Sequence, residues 1–178
     1  MLVNSLPLHI LSFIVWLIVV KIAKAKKFEI QNMVLFTLFL VYMNILLSIT
    51  LFPIPIGNAI DWYRANPKGY NFIPFHTVEL YTRMPITLFF FQVCGNVVIM
   101  MPFGFLLPFI VKKTMKLPKA MLVFLAASIG IETMQFLIGF SLGIRYRTVD
   151  IDDIILNTFG AFLGYVMFRG LKIMLKRR

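Results

Sequence analysis

The sequence predicts an all-α membrane protein with about five transmembrane helices, an interfacial outer loop and a kinked third helix. Two observations carry this prediction: 60% of the 178 residues are hydrophobic while 14% are charged, and the apolar residues fall into long runs. A water-soluble globule of this size cannot bury so large an apolar fraction, so the lipid bilayer is the expected solvent. We expect residues 1–178 to form a single membrane domain.

Five runs have the length of about 20 mostly apolar residues that crosses the hydrocarbon core. They are residues 2–20, 33–52, 85–111, 117–140 and 151–170. The first run is interpreted as a retained helix and not as a signal peptide, because its lysines follow the apolar run and no small-residue cleavage pattern is present. The third run contains Pro102, Gly104 and Pro108, which predict a kink or a break.

The basic residues predict the orientation in the membrane. The net charge is +11, but the lysines and arginines form short blocks at the ends of apolar runs and make no basic face, so no nucleic-acid partner is predicted. Cytoplasmic loops accumulate such residues. We therefore expect a multi-pass plasma-membrane protein with its amino terminus outside and its carboxy terminus in the cytoplasm. The blocks assigned to the inside are residues 21–27, 112–119 and 169–178.

The loop at residues 53–84 mixes aromatic residues with charged ones. This composition is typical of a segment that lies at the level of the lipid headgroups. We therefore interpret it as an interfacial outer loop.

The fifth predicted helix begins with a polar stripe. At about 100° per residue, one face carries carboxylates and an amide and continues as small residues that favour close helix packing: Asp150, Asp153, Asn157, Gly160 and Gly164. Asp150 is also a natural N-cap, whose carboxylate would accept from the amide of residue 152 or 153. We expect Asp152 to point elsewhere, toward the headgroups or the outer loop.

The fourth predicted helix carries a second polar stripe, formed by Ser128, Glu132, Gln135 and Gly139. Glu132 would lie in the outer half of the hydrocarbon, where an ionised carboxylate is costly unless it is paired. Arg145 and Arg147 on the next loop could reach a carboxylate with a forked guanidinium. We predict an outward-facing cluster of Glu132, Gln135, Arg147, Asp150, Asp153 and Asn157. The alternative is that these groups only hold the helices together.

Three stretches of the chain resemble the VanZ-like family of bacterial membrane proteins. Residues 71–75, NFIPF, resemble its NxxPF-type segment, and residues 96–108, NVVIMMPFGFLLP, are similar to its proline- and glycine-rich segment. Glu132 and Gln135, followed by RTVDIDDIILNTFGAFLGY, resemble an EhhQ helix, an Arg and Asp loop and an NTxGAxxGY helix. These signatures lie within residues 71–170. Tyr146 stands where the family pattern has glycine.

The resemblance implies a protein of the bacterial cell envelope, in a family whose founding member is associated with teicoplanin resistance. The first hypothesis is a binding or modulating protein that engages a membrane lipid, a lipid-linked envelope precursor or a glycopeptide antibiotic. Asn71 and His76 of the outer loop are candidate contacts beside the cluster. The oligomeric state is not predicted.

Two other functions stay open. One is an intramembrane enzyme acting on a lipid-linked substrate, with Glu132 or Asp153 as general base and His76 as its partner. The other is a small proton-coupled transporter, suggested by the intramembrane glutamate and the interrupted third helix. The sequence contains no HExxH, no GxSxG and no glycine-rich phosphate loop, and its single cysteine is Cys94. No catalytic residue, cofactor or metal site is therefore predicted.

Overall fold

The computed structural model describes residues 2–25 and 29–176, and most of them are helical. Within these ranges, four helices are long and apolar enough to cross a bilayer. They are Ile30–Leu51, Ile86–Ile110, Leu117–Ser141 and Ile151–Lys176. The prediction of an all-α membrane protein is confirmed.

The first apolar run forms helix α1, Leu6–Ala25, whose apolar stretch Leu6–Ile22 is shorter than the four long helices. The count of five spanning helices and the single-domain assignment stay predictions. Four residues of the predicted basic blocks lie outside the described residues: Lys26, Lys27, Arg177 and Arg178.

The second helix, α2 (Ile30–Leu51), is followed by a structured connection. The connection contains two short helices, α3 (Asn58–Ala65) and α4 (His76–Thr82). Two-residue strands tie it to other parts of the chain: β2 (Ile54–Pro55) pairs antiparallel with β1 (Leu2–Val3), and β3 (Tyr70–Asn71) pairs parallel with β4 (Val149–Asp150). The predicted outer loop is thus connected to the segment before α1 and to the segment before α8.

The third long helix is irregular near its amino-terminal end. It consists of α5 (Ile86–Phe89), a π-helical segment (Phe90–Cys94) and α6 (Gly95–Ile110). Helix α6 continues through Pro102 and Pro108, so there is no break at these residues, and the alternative of a kink there stays a prediction. The departure from α-helical geometry lies earlier, because the π turn inserts an extra residue into the hydrogen-bond register.

Helix α6 packs against helix α8 (Ile151–Lys176) over a larger contact than any other described helix pair. Small residues allow this approach: an added Cβ at Gly160 would lie 2.0 Å from the Val97 carbonyl oxygen, and one at Gly164 would lie 1.8 Å from that of Met101. The same holds for Gly104 of α6 against Ala161 of α8. The two backbones therefore approach closely over about two helical turns of α6.

The remaining helices assemble around this pair. Helix α7 (Leu117–Ser141) packs on α8, α2 packs on α6, and α1 packs on α2. Phe124, Tyr165 and Met100 are fully buried where α6, α7 and α8 meet. Many large apolar side chains on the outer faces stay exposed within the protein, as expected when lipid is the solvent.

Candidate functional site

The polar residues gather at one end of the bundle, where α2 and α7 end and α8 begins, which we call the cluster end. The β3–β4 bridge places Asn71 opposite Asp150. The Asn71 Nδ2 donates to the Asp150 carboxylate at 2.8 Å and to the Thr77 hydroxyl at 3.0 Å. The Thr77 hydroxyl in turn donates to Asp150 at 2.5 Å. Asp150 therefore ties the α2–α5 connection to the start of α8.

Two carboxylates satisfy the first backbone amides at the start of α8. The Asp150 side chain accepts the Asp152 N–H at 2.8 Å, which is the N-cap that the sequence predicts. The Glu132 carboxylate, from α7, accepts the Asp150 N–H at 3.2 Å. Both carboxylates are buried, and both compensate amides that the helix itself leaves unpaired.

Asp152 accepts hydrogen bonds from the backbone amides at the start of another helix, α4. It is 1% exposed and accepts three backbone N–H groups, from Phe75 at 2.5 Å, Thr77 at 2.8 Å and Val78 at 3.2 Å. It therefore points to the outer connection, one of the two directions expected, and not to the headgroups. The predicted cluster does not include Asp152, and its role as the anchor of α4 was not predicted.

The carbonyl groups at the end of α2 are satisfied by side chains from α7 and the α7–α8 loop. Gln135 donates to the Thr50 carbonyl at 2.9 Å, and the Tyr146 hydroxyl donates to that of Leu51 at 3.1 Å. Arg147 donates to the carbonyls of Ile49 and Phe52, at 3.2 and 2.5 Å. A cation at a helix carboxy terminus also complements the helix dipole.

The predicted pairing of an arginine with a cluster carboxylate is therefore wrong. Arg147 binds the α2 carbonyls instead, and the Arg145 guanidinium lies over the Tyr70 ring, 5.3 Å from its centroid. Within residues 2–25 and 29–176, the ion pairs are Arg64–Asp61 and Arg83–Glu79, both on the surface. The pairing fails because helix-end carbonyls compete for the same donors.

Asp153 and Asn157 have no capping role. The Asp153 carboxylate accepts a short hydrogen bond from the Asn96 side chain of α6. Asn157, one turn further along α8, is 3% exposed, and its Oδ1 has no hydrogen-bond partner. An unpaired buried amide oxygen is uncommon, and it marks this stripe as more than helix packing requires.

A cavity of about 470 Å³, which we call the polar cavity, opens at the cluster end. Its lining includes both acids and bases: Asp150, Asp153, Lys68 and Arg147. Gln92, which lies in the π-helical segment, also lines it, and such segments often occur at functional sites. The polar cavity can therefore accept hydrogen bonds and donate them to one ligand.

A second cavity of about 480 Å³, the arginine cavity, adjoins it. Three arginines line the arginine cavity, and no acidic residue does: Arg64, Arg145 and Arg147. Its wall also contains the α7 rings Phe136 and Phe140. The two cavities share four lining residues, Tyr63, Gln135, Tyr146 and Arg147. Two adjoining cavities therefore lie at the cluster end, one polar and the other both cationic and aromatic.

Tyr146 forms part of the wall between the two cavities. It lies in the loop between α7 and α8, it is 3% exposed, and burial raises the pKa of its hydroxyl above the ordinary value. The aromatic side chain occupies the position where the family pattern has glycine. The hydroxyl therefore stays protonated as a hydrogen-bond donor to α2.

Not every predicted site residue joins these cavities. Glu132 and Asn157 are buried but line neither cavity, and His76 is exposed at the start of α4, also outside both. In the described part of the chain, no group of three or more His, Cys, Asp or Glu side chains could hold a metal ion.

Sequence reasoning missed four residues of the site: Asn96, Thr77, Lys68 and Gln92. Asn96 is a polar residue within an apolar run, which was an available signal. Lys68 and Gln92 lie 24 residues apart on separate elements, and only the tertiary fold brings them to the same cavity. Periodicity along one helix carries no information about such partners.

The fold and the site define a class, the multi-pass integral membrane proteins. The sequence profile of the VanZ/LLP1 family matches residues 39–175. The chain is also 31% identical over 127 residues to Protein VanZ of Enterococcus faecium, covering 71% of this chain and 68% of that protein. The chain therefore belongs to the VanZ/LLP1 family, which confirms the resemblance. No solved structure matches it significantly.

Proposed function

We propose that this VanZ/LLP1-family protein binds an amphiphilic component of the bacterial envelope at the cluster end and thereby contributes to glycopeptide tolerance of the teicoplanin type. The candidate ligands are an envelope lipid, a lipid-linked precursor or the antibiotic itself. The observation that carries this proposal is the junction of the two cavities, which share Tyr63, Gln135, Tyr146 and Arg147. An amphiphile needs a polar and an apolar surface side by side.

The hydrogen-bond inventory separates structural residues from candidate binding residues. Glu132, Gln135, Arg147 and Asp152 are engaged with helix ends, so their substitution would disturb the fold. Asp153 lines the polar cavity and caps no helix. Among the cluster residues it is the strongest candidate for ligand contact.

The orientation belongs to the same proposal. The opposite end of the bundle carries Lys113, Lys116 and Lys172, and cytoplasmic loops concentrate such residues. With that end in the cytoplasm, the two cavities open toward the extracytoplasmic face, where glycopeptides act on envelope precursors. The amino terminus then lies outside.

Catalysis and transport receive less support from the contacts. His76, the proposed partner of a catalytic carboxylate, lines neither cavity, and Glu132 is occupied by the Asp150 amide. The third helix is irregular at Phe90–Cys94, yet α6 continues through both prolines. We therefore favour binding.

The test is teicoplanin susceptibility in a deletion strain complemented with the wild-type gene, Asp153→Asn or Lys68→Gln. Both substitutions change a cavity charge and keep a side chain of similar size. Glu79→Gln is the matched control, because Glu79 is an exposed acid of α4 that pairs with Arg83 and lines neither cavity. Immunoblots of the membrane fraction establish equal protein levels.

We expect Asp153→Asn and Lys68→Gln to lower tolerance to that of the deletion strain, while Glu79→Gln restores it fully. Full restoration by both cavity variants at normal membrane levels would contradict a binding role for the polar cavity. A deletion strain with unchanged susceptibility would show that the protein does not contribute to glycopeptide tolerance.

A further inference from the structure

We propose that the amphiphile carries a phosphate group, and that this phosphate binds in the arginine cavity beside Arg64, Arg145 and Arg147. The inference rests on the proposed binding of an amphiphile and specifies its chemical class. The candidate ligands narrow to phospholipids and phosphate-linked polyprenyl lipids.

The charge of the cavity wall is the first argument. Three arginines line the arginine cavity without a single acidic residue, so the wall carries three formal positive charges. The two adjoining carboxylates of the polar cavity, Asp150 and Asp153, lie outside this wall. A cavity with charges of one sign concentrates ligands of the other sign.

The second argument is that the arginines keep donors for a ligand. The Arg145 guanidinium lies over the Tyr70 ring, and this cation–π contact uses the charge of the guanidinium and none of its N–H donors. Arg64 pairs with Asp61 at 3.3 Å, and both side chains are more than half exposed, so this ion pair is weak and exchangeable. Arg147 uses one terminal nitrogen, Nη2, for the α2 carbonyls.

The chemistry of the guanidinium suits the phosphate of a membrane lipid. Its planar fork matches two oxygens of a phosphate with charge-assisted hydrogen bonds. Aromatic side chains next to the fork, Tyr63 and Tyr70, add rigid surface that the phosphate's substituents can contact.

The third argument is the position of the apolar wall. Phe136 is 43% exposed and Phe140 is 75% exposed, on the face of α7 that borders the arginine cavity. A hydrocarbon chain lying against these two rings would continue directly into the bilayer. A free phosphate ion would leave this apolar wall without a function.

The order of groups along the ligand follows. The chain lies against Phe136 and Phe140, and the phosphate lies beside the arginines. Because Arg147 lines both cavities, the headgroup beyond the phosphate enters the polar cavity, where Asp153 and Lys68 are available. This order is that of a phosphate-linked lipid read from tail to head.

The experiment measures binding to the purified, delipidated full-length protein in a neutral maltoside detergent by native mass spectrometry. The probes are a C55 polyprenyl phosphate, the corresponding polyprenol, phosphatidylglycerol, inorganic phosphate and teicoplanin. The comparison of polyprenyl phosphate with polyprenol measures the contribution of the phosphate to binding. The comparison with inorganic phosphate measures the contribution of the hydrocarbon chain.

We expect both phosphate-bearing lipids to bind at least about tenfold more tightly than polyprenol, and inorganic phosphate to bind too weakly to detect. Arg145→Gln and Arg64→Gln should each weaken lipid binding about tenfold. Arg83→Gln is the control, because Arg83 is an exposed arginine paired with Glu79 and lines neither cavity. Melting temperatures verify that each variant is folded.

Each contrary result has a distinct meaning. Equal binding of polyprenol and polyprenyl phosphate would overturn the phosphate assignment and leave the proposed amphiphile binding intact. Inorganic phosphate binding as tightly as the lipids would overturn the lipid assignment in favour of a free-anion site. Failure of every lipid and of teicoplanin to bind would overturn the proposed function together with this inference.

Discussion

The Asp152 carboxylate of α8 accepts the backbone N–H of Thr77 in α4 at 2.8 Å, across 75 positions of the chain. Phe75 and Val78 donate to the same carboxylate, so one side chain binds three amides at the start of a seven-residue helix. A helix this short is unstable alone. Asp152 therefore determines where α4 lies, and α4 supplies part of the wall of the polar cavity.

Replacing Asp152 by asparagine should lower the free energy of unfolding by about 1–3 kcal/mol, because an amide has one acceptor oxygen and no charge for three buried N–H groups. Reversible unfolding in mixed micelles measures the change. Asp61→Asn, at an exposed aspartate, should stay within about 0.5 kcal/mol of the wild type. Equal effects of the two substitutions would refute the anchoring role.

The contact of α6 with α8 predicts a second effect. An alanine at Gly160 or Gly164 places its Cβ at about 2 Å from a backbone oxygen of α6, and backbone cannot rotate away, so the helices must separate. We expect each variant to lose at least about 2 kcal/mol or to fail to accumulate.

Gly170→Ala is the matched control for this pair of variants. Gly170 lies in the same helix, and an added Cβ would meet no atom within 4 Å. Alanine also has a higher helix propensity than glycine, so this variant should be neutral or slightly more stable. A large loss in Gly170→Ala would show that the effect does not come from the α6–α8 contact.

The helices could be predicted from the sequence because long apolar runs carry that signal directly. The second, fourth and fifth predicted segments coincide with α2, α7 and α8, although α8 continues from residue 170 to Lys176. The position of the irregularity in the third segment could not be predicted. The missing donor of a proline is visible in the sequence, whereas a π-helical turn depends on the packing around it.

The site could be predicted only in part. Helical periodicity predicted that Asp150, Asp153 and Asn157 share one face of α8; Asp150 and Asp153 line the polar cavity, and Asn157 lines neither cavity. It could not decide whether Arg147 meets a carboxylate or a carbonyl, because that depends on where the end of α2 lies in three dimensions. Both cavities take lining residues from the connection, α7 and the α7–α8 loop, and the polar cavity adds Gln92 and Asp153, so no single element reveals them.

Arg147→Lys tests the bond to the end of α2. Lysine keeps the positive charge, but its side chain is one bond shorter than that of arginine, so its ammonium does not reach the position from which Nη2 donates to both carbonyls. We expect the free energy of unfolding to fall by about 1–2 kcal/mol. Arg83→Lys, at an exposed i,i+4 pair, should change it by less than about 0.5 kcal/mol. A stable Arg147→Lys protein would argue against this role.

Because the Tyr146 hydroxyl is buried, we expect the stability of the protein to depend on pH in the alkaline range. Burial raises its pKa in the folded protein above the unfolded value near 10. The neutral hydroxyl is therefore favoured by folding, and its contribution is complete below about pH 10 and is lost as the pH rises through the folded pKa.

The measurement compares unfolding free energies of the wild type and Tyr146→Phe from about pH 8 to about pH 11. At the lower pH the wild type should be more stable by about 1 kcal/mol, because its hydroxyl donates to Leu51. The difference should shrink as the pH rises, because the Tyr146 hydroxyl loses its proton. Lysine titration affects both proteins alike and does not change the difference. A difference that grows with pH would contradict the assigned direction.

Single cysteines test the proposed orientation. Asp61 of α3 lies at the cluster end and Lys113 lies between α6 and α7 at the opposite end, and both side chains are exposed. The native Cys94 is first replaced by serine, and this parent is the unlabelled control. A membrane-impermeant maleimide should label Asp61→Cys in intact cells and Lys113→Cys only after permeabilisation, because the basic end faces the cytoplasm. The reverse pattern would direct both cavities to the cytoplasm, and an extracellular glycopeptide could then not reach them.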